Sequence, residues 1–252
     1  IAHATIPHYL HPERGNARSV AGEWYLYMIH ACPRFAGQKG GSMHVVHPEL
    51  DRYMLDLLPA RAAIMQEMEA HAESHRFPIV GPLAGNFLAQ LAALIGARRI
   101  MELGSGFGYS ALWFAGVLPA DGEIICTDGD DANRRRAEDA FARAGVSDRI
   151  RFHTGDALEL FAGIEGDFDM IFCDIDKHGY PDAFRAALPR LRTGGVLVFD
   201  NALWSGRMLE GNDSADTRGV VELNRLAFST PGCRAGIVPI RDGLLVCSRT
   251  ED

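Results

Sequence analysis

The chain has 252 residues, 47% of them hydrophobic, enough for one full α/β domain around a single core plus a peripheral appendage. Its formal charge of −8 argues against a nucleic-acid surface, and no apolar run approaches the about 20 residues of a membrane span. Five cysteines (Cys32, Cys126, Cys173, Cys233, Cys247), with no CxxC spacing and no signal-peptide pattern, make a reducing cytoplasm the expected compartment.

Residues 1–46 stand apart as an N-terminal extension, and the main domain is expected over 47–252. Six of the ten histidines (His3, His8, His11, His30, His44 and, at the border, His47) fall in the extension without any metal-ligand spacing. Gly40-Gly41-Ser42-Met43 reads as a linker. Such an arm is expected to be poorly ordered or partner-dependent; the other reading is a lid or a dimer clasp.

From Pro48 the pattern becomes regular. Residues 48–75 read as one or two helices broken near Pro59, with Leu50, Tyr53, Met54, Leu57 and Leu58 on an apolar face. His71 and His75 lie four apart there, as exposed polar residues in preference to a metal pair. A third helix spans 83–95 and stops at Gly96. Strand and helix then alternate: strands 99–103, 123–128, 149–153, 168–174 and 195–200 are separated by helices 109–118, 131–144, 156–162 and 181–191. Helix 215–229 and strands 234–239 and 243–248 follow, with Arg241-Asp242-Gly243 as a tight turn that implies an antiparallel hairpin at one edge. Repeated βα units with short apolar strands predict a parallel sheet covered on both faces, with ligands at the carboxyl ends of its strands.

Two clusters at predicted strand ends carry the first chemical signal. Asp174-Ile175-Asp176-Lys177 closes one apolar run and Asp200-Asn201 closes another. If those strands are neighbours, two carboxylates and an amide oxygen converge, a donor set that suits magnesium, manganese or calcium rather than zinc. Lys177 stands beside them.

The second signal is Met101-Glu102-Leu103-Gly104-Ser105-Gly106-Phe107-Gly108, where the first strand passes into a helix. Glycines let this backbone turn sharply and approach a ligand. By itself the loop also fits a dinucleotide fold. Glu102, however, would repel a pyrophosphate and attract a cation. Asp128 ends the next strand, where a carboxylate accepts from both hydroxyls of a ribose. Gly155-Asp156-Ala157 falls where an adenine ring would be held, and Asp156 also suits the N-cap of its own helix. These features fit S-adenosylmethionine better than a nicotinamide dinucleotide.

The residues resemble the cation-dependent class I O-methyltransferases of the catechol and caffeoyl-CoA type. The stretches that carry the resemblance begin at Pro82 (PLAGNFLAQLAALIGARRIMELGSGFGYSALWFA), Thr127 (TDGDDANRRRAEDAFARAGVSDRIRFHTGDALELF), Phe168 (FDMIFCDIDKHGYPDAF) and Leu191 (LRTGGVLVFDNALWSG), and the last is PIRDGLLVCSR. The resemblance implies a Rossmann-like α/β fold: a seven-stranded, mostly parallel sheet with one antiparallel strand and helices on both faces, in a homodimer. By position it places Glu102, Gly104, Ser105, Ser110, Asp128, Ala157 and Asp176 on S-adenosylmethionine, with Val80 touching it through the backbone. It makes Asp174, Asp200 and Asn201 the metal ligands and Lys177 the base. The chain lacks a loop that the plant enzymes insert after this motif, so a coenzyme A thioester is not the expected acceptor. Ser205 stands where those enzymes contact the acceptor through an asparagine.

The expected reaction is methylation of a catechol-like small molecule whose adjacent hydroxyls are held by the cation. Asp174 would serve as metal ligand and Lys177 as proton acceptor. Tyr180 and Trp204 are candidates for the walls of the acceptor pocket, with core packing as the alternative for Trp204 and a plain helix start before Pro181 as that for Tyr180. Three other functions compete with this one. A methyltransferase for tRNA hydroxyuridine finds only Arg134-Arg135-Arg136 as a basic cluster. A nicotinamide-dependent dehydrogenase leaves the second acidic cluster unexplained, and a non-catalytic donor-binding module leaves the lysine without a purpose.

Overall fold

A computed structural model describes residues 45–250, so the expectations for the N-terminal extension lie almost wholly outside the described residues. Its centre is a seven-stranded sheet. The strands are β1 (Arg99–Leu103), β2 (Glu123–Asp128), β3 (Ile150–Thr154), β4 (Phe168–Cys173), β5 (Leu191–Phe199), β6 (Cys233–Val238) and β7 (Leu244–Arg249), in the spatial order β3-β2-β1-β4-β5-β7-β6. The first five strands pair in parallel. β7 enters antiparallel between β5 and β6, so the expected hairpin closes one edge.

Strands buried on both faces read as continuous apolar runs, and Met170–Cys173 is fully buried in this way. Side chains from alternate positions feed two separate cores. One face receives Ile100, Ile124 and Met170 under α2 (Ala63–His75), α3 (Gly81–Leu94), α4 (Tyr109–Ala115) and α5 (Asp131–Ala144). The other receives Met101, Leu103, Ile171 and Leu197 under α6 (Ala157–Gly163), α7 (Tyr180–Ala187) and α8 (Ala215–Ser229). A preceding helix, α1 (Pro48–Leu57), ends just before Pro59 and buries none of its residues, so Leu50, Tyr53 and Leu57 are exposed.

One boundary differs from expectation for a local reason. The helix expected over 181–191 stops at Ala187 and tightens into a 3-10 turn at Leu188–Arg190, because Pro189 cannot continue the hydrogen-bond ladder. β5 therefore starts at Leu191 rather than 195. Its pairing with β4 jumps from Phe168↔Leu191 to Met170↔Val196, an irregularity absorbed at Gly194, whose φ is +76°.

Strand order reverses between β1 and β4. The chain builds outward through β2 and β3, then returns to β1's other side, leaving a crevice at the carboxyl ends of both strands.

Candidate active site

A cavity of about 690 Å³ opens at that crevice. Its lining comes from the ends of five strands: Gly104 and Ser105 after β1, Asp128 at β2, Asp156 and Ala157 after β3, Asp174 to Lys177 after β4, and Asp200 and Asn201 after β5. Val80 and Ser110 line it too.

The glycine loop is held by close packing. Gly104 has φ +85°, and a Cβ there would stand 2.5 Å from the carbonyl oxygen of Asp174, so no other residue fits. The Gly106 N–H donates to Asp128 Oδ2 at 3.0 Å, while Asp130 N–H and Asn133 Nδ2 donate to Oδ1 at 2.9 Å. Asp156 caps α6 by accepting from Leu158 and Glu159 N–H while also lining the cavity.

Glu102 lies fully buried beneath this loop. Its Oε2 accepts from Cys126 Sγ at 3.3 Å, whereas Oε1 has no hydrogen-bond partner. Burial pushes its proton affinity up to about 7, with a small further push from the charge of Asp174; the nearby hydroxyls of Ser110 and Ser105 and the Cys126 thiol oppose the rise. Neither hydroxyl completes a well-formed bond to Oε1. An orphaned, buried carboxylate oxygen of this kind fits a ligand ammonium such as the amine of S-adenosylmethionine.

The second half of the site follows from strand register. β4 and β5 pair through Cys173↔Phe199, which sets the next residues, Asp174 and Asp200, side by side at the sheet edge. The Asp200 N–H donates to Cys173 O at 3.2 Å. Asp200 is 2% exposed, and burial, followed by the charge of Asp174, pushes its proton affinity up to about 7; Arg241, the Asn201 N–H and Lys177 oppose the rise. Lys177 Nζ donates to Asp174 Oδ1 at 2.7 Å and to Ile175 O at 3.0 Å. Asn201, at φ +55°, donates its Nδ2 to Asp242 Oδ2 at 3.3 Å, which leaves its amide oxygen as the end without a partner among the described residues. Two adjacent carboxylates, the charge of Asp174 raising the proton affinity of Asp200, beside an outward amide oxygen fit a hard divalent cation.

Three expected acceptor contacts are placed elsewhere. Tyr180 does not line this cavity: it is fully buried against Phe199, because α7 packs its first turn directly on the end of β5. From there its Oη donates to Asp200 O at 3.0 Å and its ring faces Lys177 Nζ at 5.2 Å, so it supports both groups from below. Trp204 donates Nε1 to Thr217 Oγ1 at 3.1 Å and stacks under the Arg207 guanidinium at 4.6 Å, outside the cavity lining. Ser205 gives its N–H to the Asp242 carboxylate and is likewise outside the lining. His75 is exposed, as expected, whereas His71 is half-buried with its ring edge-on to Phe107 at 5.7 Å.

Two site residues escaped sequence reasoning. Arg241 lines the cavity, and its Nη1 lies 3.5 Å from Asp200 Oδ2. Asp242 binds Asn201, Ser205 and, through its backbone oxygen, Leu203 N–H at 2.9 Å. Both belong to the β6–β7 turn, which the sequence marks only as a turn. Their place depends on β7 lying next to β5.

A glycine loop over a buried carboxylate, an acid at the next strand end and reversed strand order define a class: Rossmann-like methyltransferases that bind S-adenosylmethionine. The O-methyltransferase family profile matches residues 60–250, and the chain belongs to that family. It is 31% identical over 218 residues to caffeoyl-CoA O-methyltransferase of Eucalyptus gunnii, covering 80% of this chain and 88% of the plant enzyme. It is 34% identical over 175 residues to catechol O-methyltransferase of Niastella koreensis, covering 67% and 79%. Among solved structures, the O-methyltransferase TomG of Streptomyces achromogenes, determined with S-adenosylmethionine, superposes with a TM-score of 0.75 at 27% identity, covering 81% of this chain and 96% of that one. The O-methyltransferase of Bacillus cereus, in complex with S-adenosylhomocysteine, gives a TM-score of 0.74 at 27% identity, covering 80% and 97%. The reaction of this chain is therefore transfer of a methyl group from S-adenosylmethionine to a hydroxyl.

Proposed function

We propose that the chain methylates one hydroxyl of a vicinal-dihydroxy, catechol-like aromatic small molecule and that it depends on a divalent cation, magnesium by preference. The observation that carries this reading is the pairing of buried Asp200 with Asp174 at adjacent strand ends, next to an Asn201 whose amide nitrogen is tied to Asp242. Asp174, Asp200 and Asn201 would hold the ion. When bound, it supplies Lewis-acid polarisation of the acceptor hydroxyls.

The protein's own residues do the rest. The glycine loop, Val80, Ser105, Ser110, Asp128, Ala157 and Asp176 form the donor half, and Glu102 offers its orphan oxygen to the donor's amine. Lys177 Nζ, held within 2.7 Å of Asp174 and against the Tyr180 ring, takes or holds the proton of the acceptor hydroxyl. Fixing nucleophile and methyl in line contributes several kcal/mol to catalysis, on the order of 7 or more in well-oriented cases.

A small-molecule acceptor is supported by the way the arginine cluster is used. Arg134 pairs with Asp131 and Glu138, and Arg135 pairs with Asp131, which leaves only Arg136, beside His71 Nδ1 at 3.4 Å, without a carboxylate partner among the described residues. No helix among the described residues is long and apolar enough to cross a membrane. Unpaired Cys126, Cys173, Cys233 and Cys247 agree with a reducing cytoplasm. The exposed apolar residues of α1 support a homodimer, which light scattering would reveal.

The test is methyl transfer from labelled S-adenosylmethionine to caffeate or protocatechuate. Activity should require added magnesium and vanish with EDTA. Undiminished turnover in Asp174→Ala would rule the cation out.

A further inference from the structure

The cavity holds a cation that neither the donor nor the proton transfer uses. Arg241 lies at the tip of the β6–β7 turn with φ +51°, a left-handed conformation that costs a non-glycine residue about 1 kcal/mol. Its stem runs over Gly81: a Cβ added at Gly81 would meet Arg241 Cδ at 3.7 Å and Nε at 3.8 Å, ordinary contact distances. The guanidinium therefore projects over the cavity, beside Asp200.

It is thinly partnered there. A guanidinium has five N–H donors in a planar fork. The Arg241 fork makes one contact among the described residues, 3.5 Å from Nη1 to Asp200 Oδ2, at the outer limit of a hydrogen bond. Lys177 shows the contrast, since its Nζ makes two short bonds, to Asp174 at 2.7 Å and to Ile175 O at 3.0 Å. The Arg241 side chain also remains 35% exposed to the cavity. A planar fork with open donors is the group that receives a carboxylate through two parallel hydrogen bonds. Asp200 follows β5, three strands across the sheet from Asp128 at the end of β2, so the fork stands over the side of the cavity far from the ribose-binding end.

We propose that Arg241 is the specificity residue for the acceptor, its guanidinium receiving a carboxylate borne by the dihydroxy aromatic itself. This rests on the reading of the cavity as the pocket of a catechol-like acceptor. It narrows that class to anionic members, the catechol acids.

Binding without turnover tests it. The full chain, loaded with S-adenosylhomocysteine and magnesium, is titrated calorimetrically with protocatechuate and with its neutral amide. The wild type is expected to bind the carboxylate about tenfold or more tighter than the amide, as a charge-assisted bidentate pair requires. In Arg241→Gly that ratio should fall to within about twofold, and Arg241→Lys should retain part of it. Glycine suits φ +51°, so the first variant keeps its fold, which its melting temperature checks. A wild-type ratio near one, or a ratio unmoved by Arg241→Gly, overturns the inference. A tenfold loss of S-adenosylhomocysteine affinity with an unchanged ratio would assign the guanidinium to the donor's own carboxylate and overturn it as well. Failure of the wider reading looks different: the ratio would stand while neither ring was methylated.

Discussion

Gly219→Ala is a substitution that helix propensity and tertiary packing judge oppositely. Gly219 lies inside α8, where alanine is favoured over glycine by about 1 kcal/mol. Yet a Cβ at this position would stand 2.1 Å from Lys177 O and 2.8 Å from His178 Cα, both backbone atoms that no side-chain rotation can move. Reaching an ordinary contact of about 3.4 Å means a shift of about 1.3 Å between α8 and the turn that carries Lys177. Overpacking of that kind costs about 1–3 kcal/mol, so it outweighs the propensity gain. The turn is the softer partner, since it is a single 3-10 turn from Lys177 to Gly179. A misplacement of about 1 Å costs on the order of 100-fold in rate when it moves a catalytic group. The assay pairs kcat for methyl transfer with calorimetric affinity for S-adenosylhomocysteine. The rate should fall about 100-fold with donor affinity reduced less than the rate, because of the donor half only Asp176 adjoins this turn, while Gly104, Ser105, Asp128 and Ala157 lie at the ends of β1, β2 and β3. A folded Gly219→Ala variant with unchanged kcat would refute the claim that this turn positions Lys177.

Further outcomes follow from the same geometry. Glu102, with a proton affinity near 7, must be ionised to receive an ammonium, so donor affinity should fall as pH drops below about 7, approaching tenfold per unit. In Glu102→Gln the affinity should be weak and flat from pH 5 to 8, read by calorimetry. The same raised affinity makes the free protein bind a proton that the unfolded chain has lost between about 4.5 and 7. Ligand-free stability from this group should therefore decrease as pH rises through that window, read by denaturant titration. Tyr180→Phe leaves the Asp200 carbonyl without its donor and should cost about 1 kcal/mol of stability, with a lower kcat and unaltered donor affinity. Asp242→Asn should loosen Asn201 and the 201–205 turn, weakening cation affinity, read by manganese titration, about tenfold or more.

Much of the donor half was legible because it is local. Gly104, Asp128 and Asp156 each lie at a strand's end or within two residues after it, so strand recognition alone puts them at the sheet's carboxyl edge. Asp174 and Asp200 needed one further step, that β4 and β5 are neighbours, and their apolar runs were strong enough to carry it. The acceptor half resisted for the opposite reason. Arg241 and Asp242 meet Asp200 and Asn201 across a sequence separation of 41, through a strand inserted antiparallel next to β5. No local pattern encodes that insertion. Tyr180 was misplaced because its aromatic ring and its position beside Lys177 suggested a pocket wall, whereas Pro181 in the first turn of α7 sets the helix so that the ring faces Phe199. Gly219 gave no signal, since a glycine within a helical run reads only as a weak helix former until its neighbour is known.

Binding of manganese, followed by electron paramagnetic resonance as the ion is titrated into the chain with S-adenosylhomocysteine present, tests the oxygen cage most directly. One ion per chain should become immobilised, displaced by excess magnesium, and lost in both Asp174→Ala and Asp200→Ala. Full methyl transfer by a wild-type chain that immobilises no ion would contradict the account.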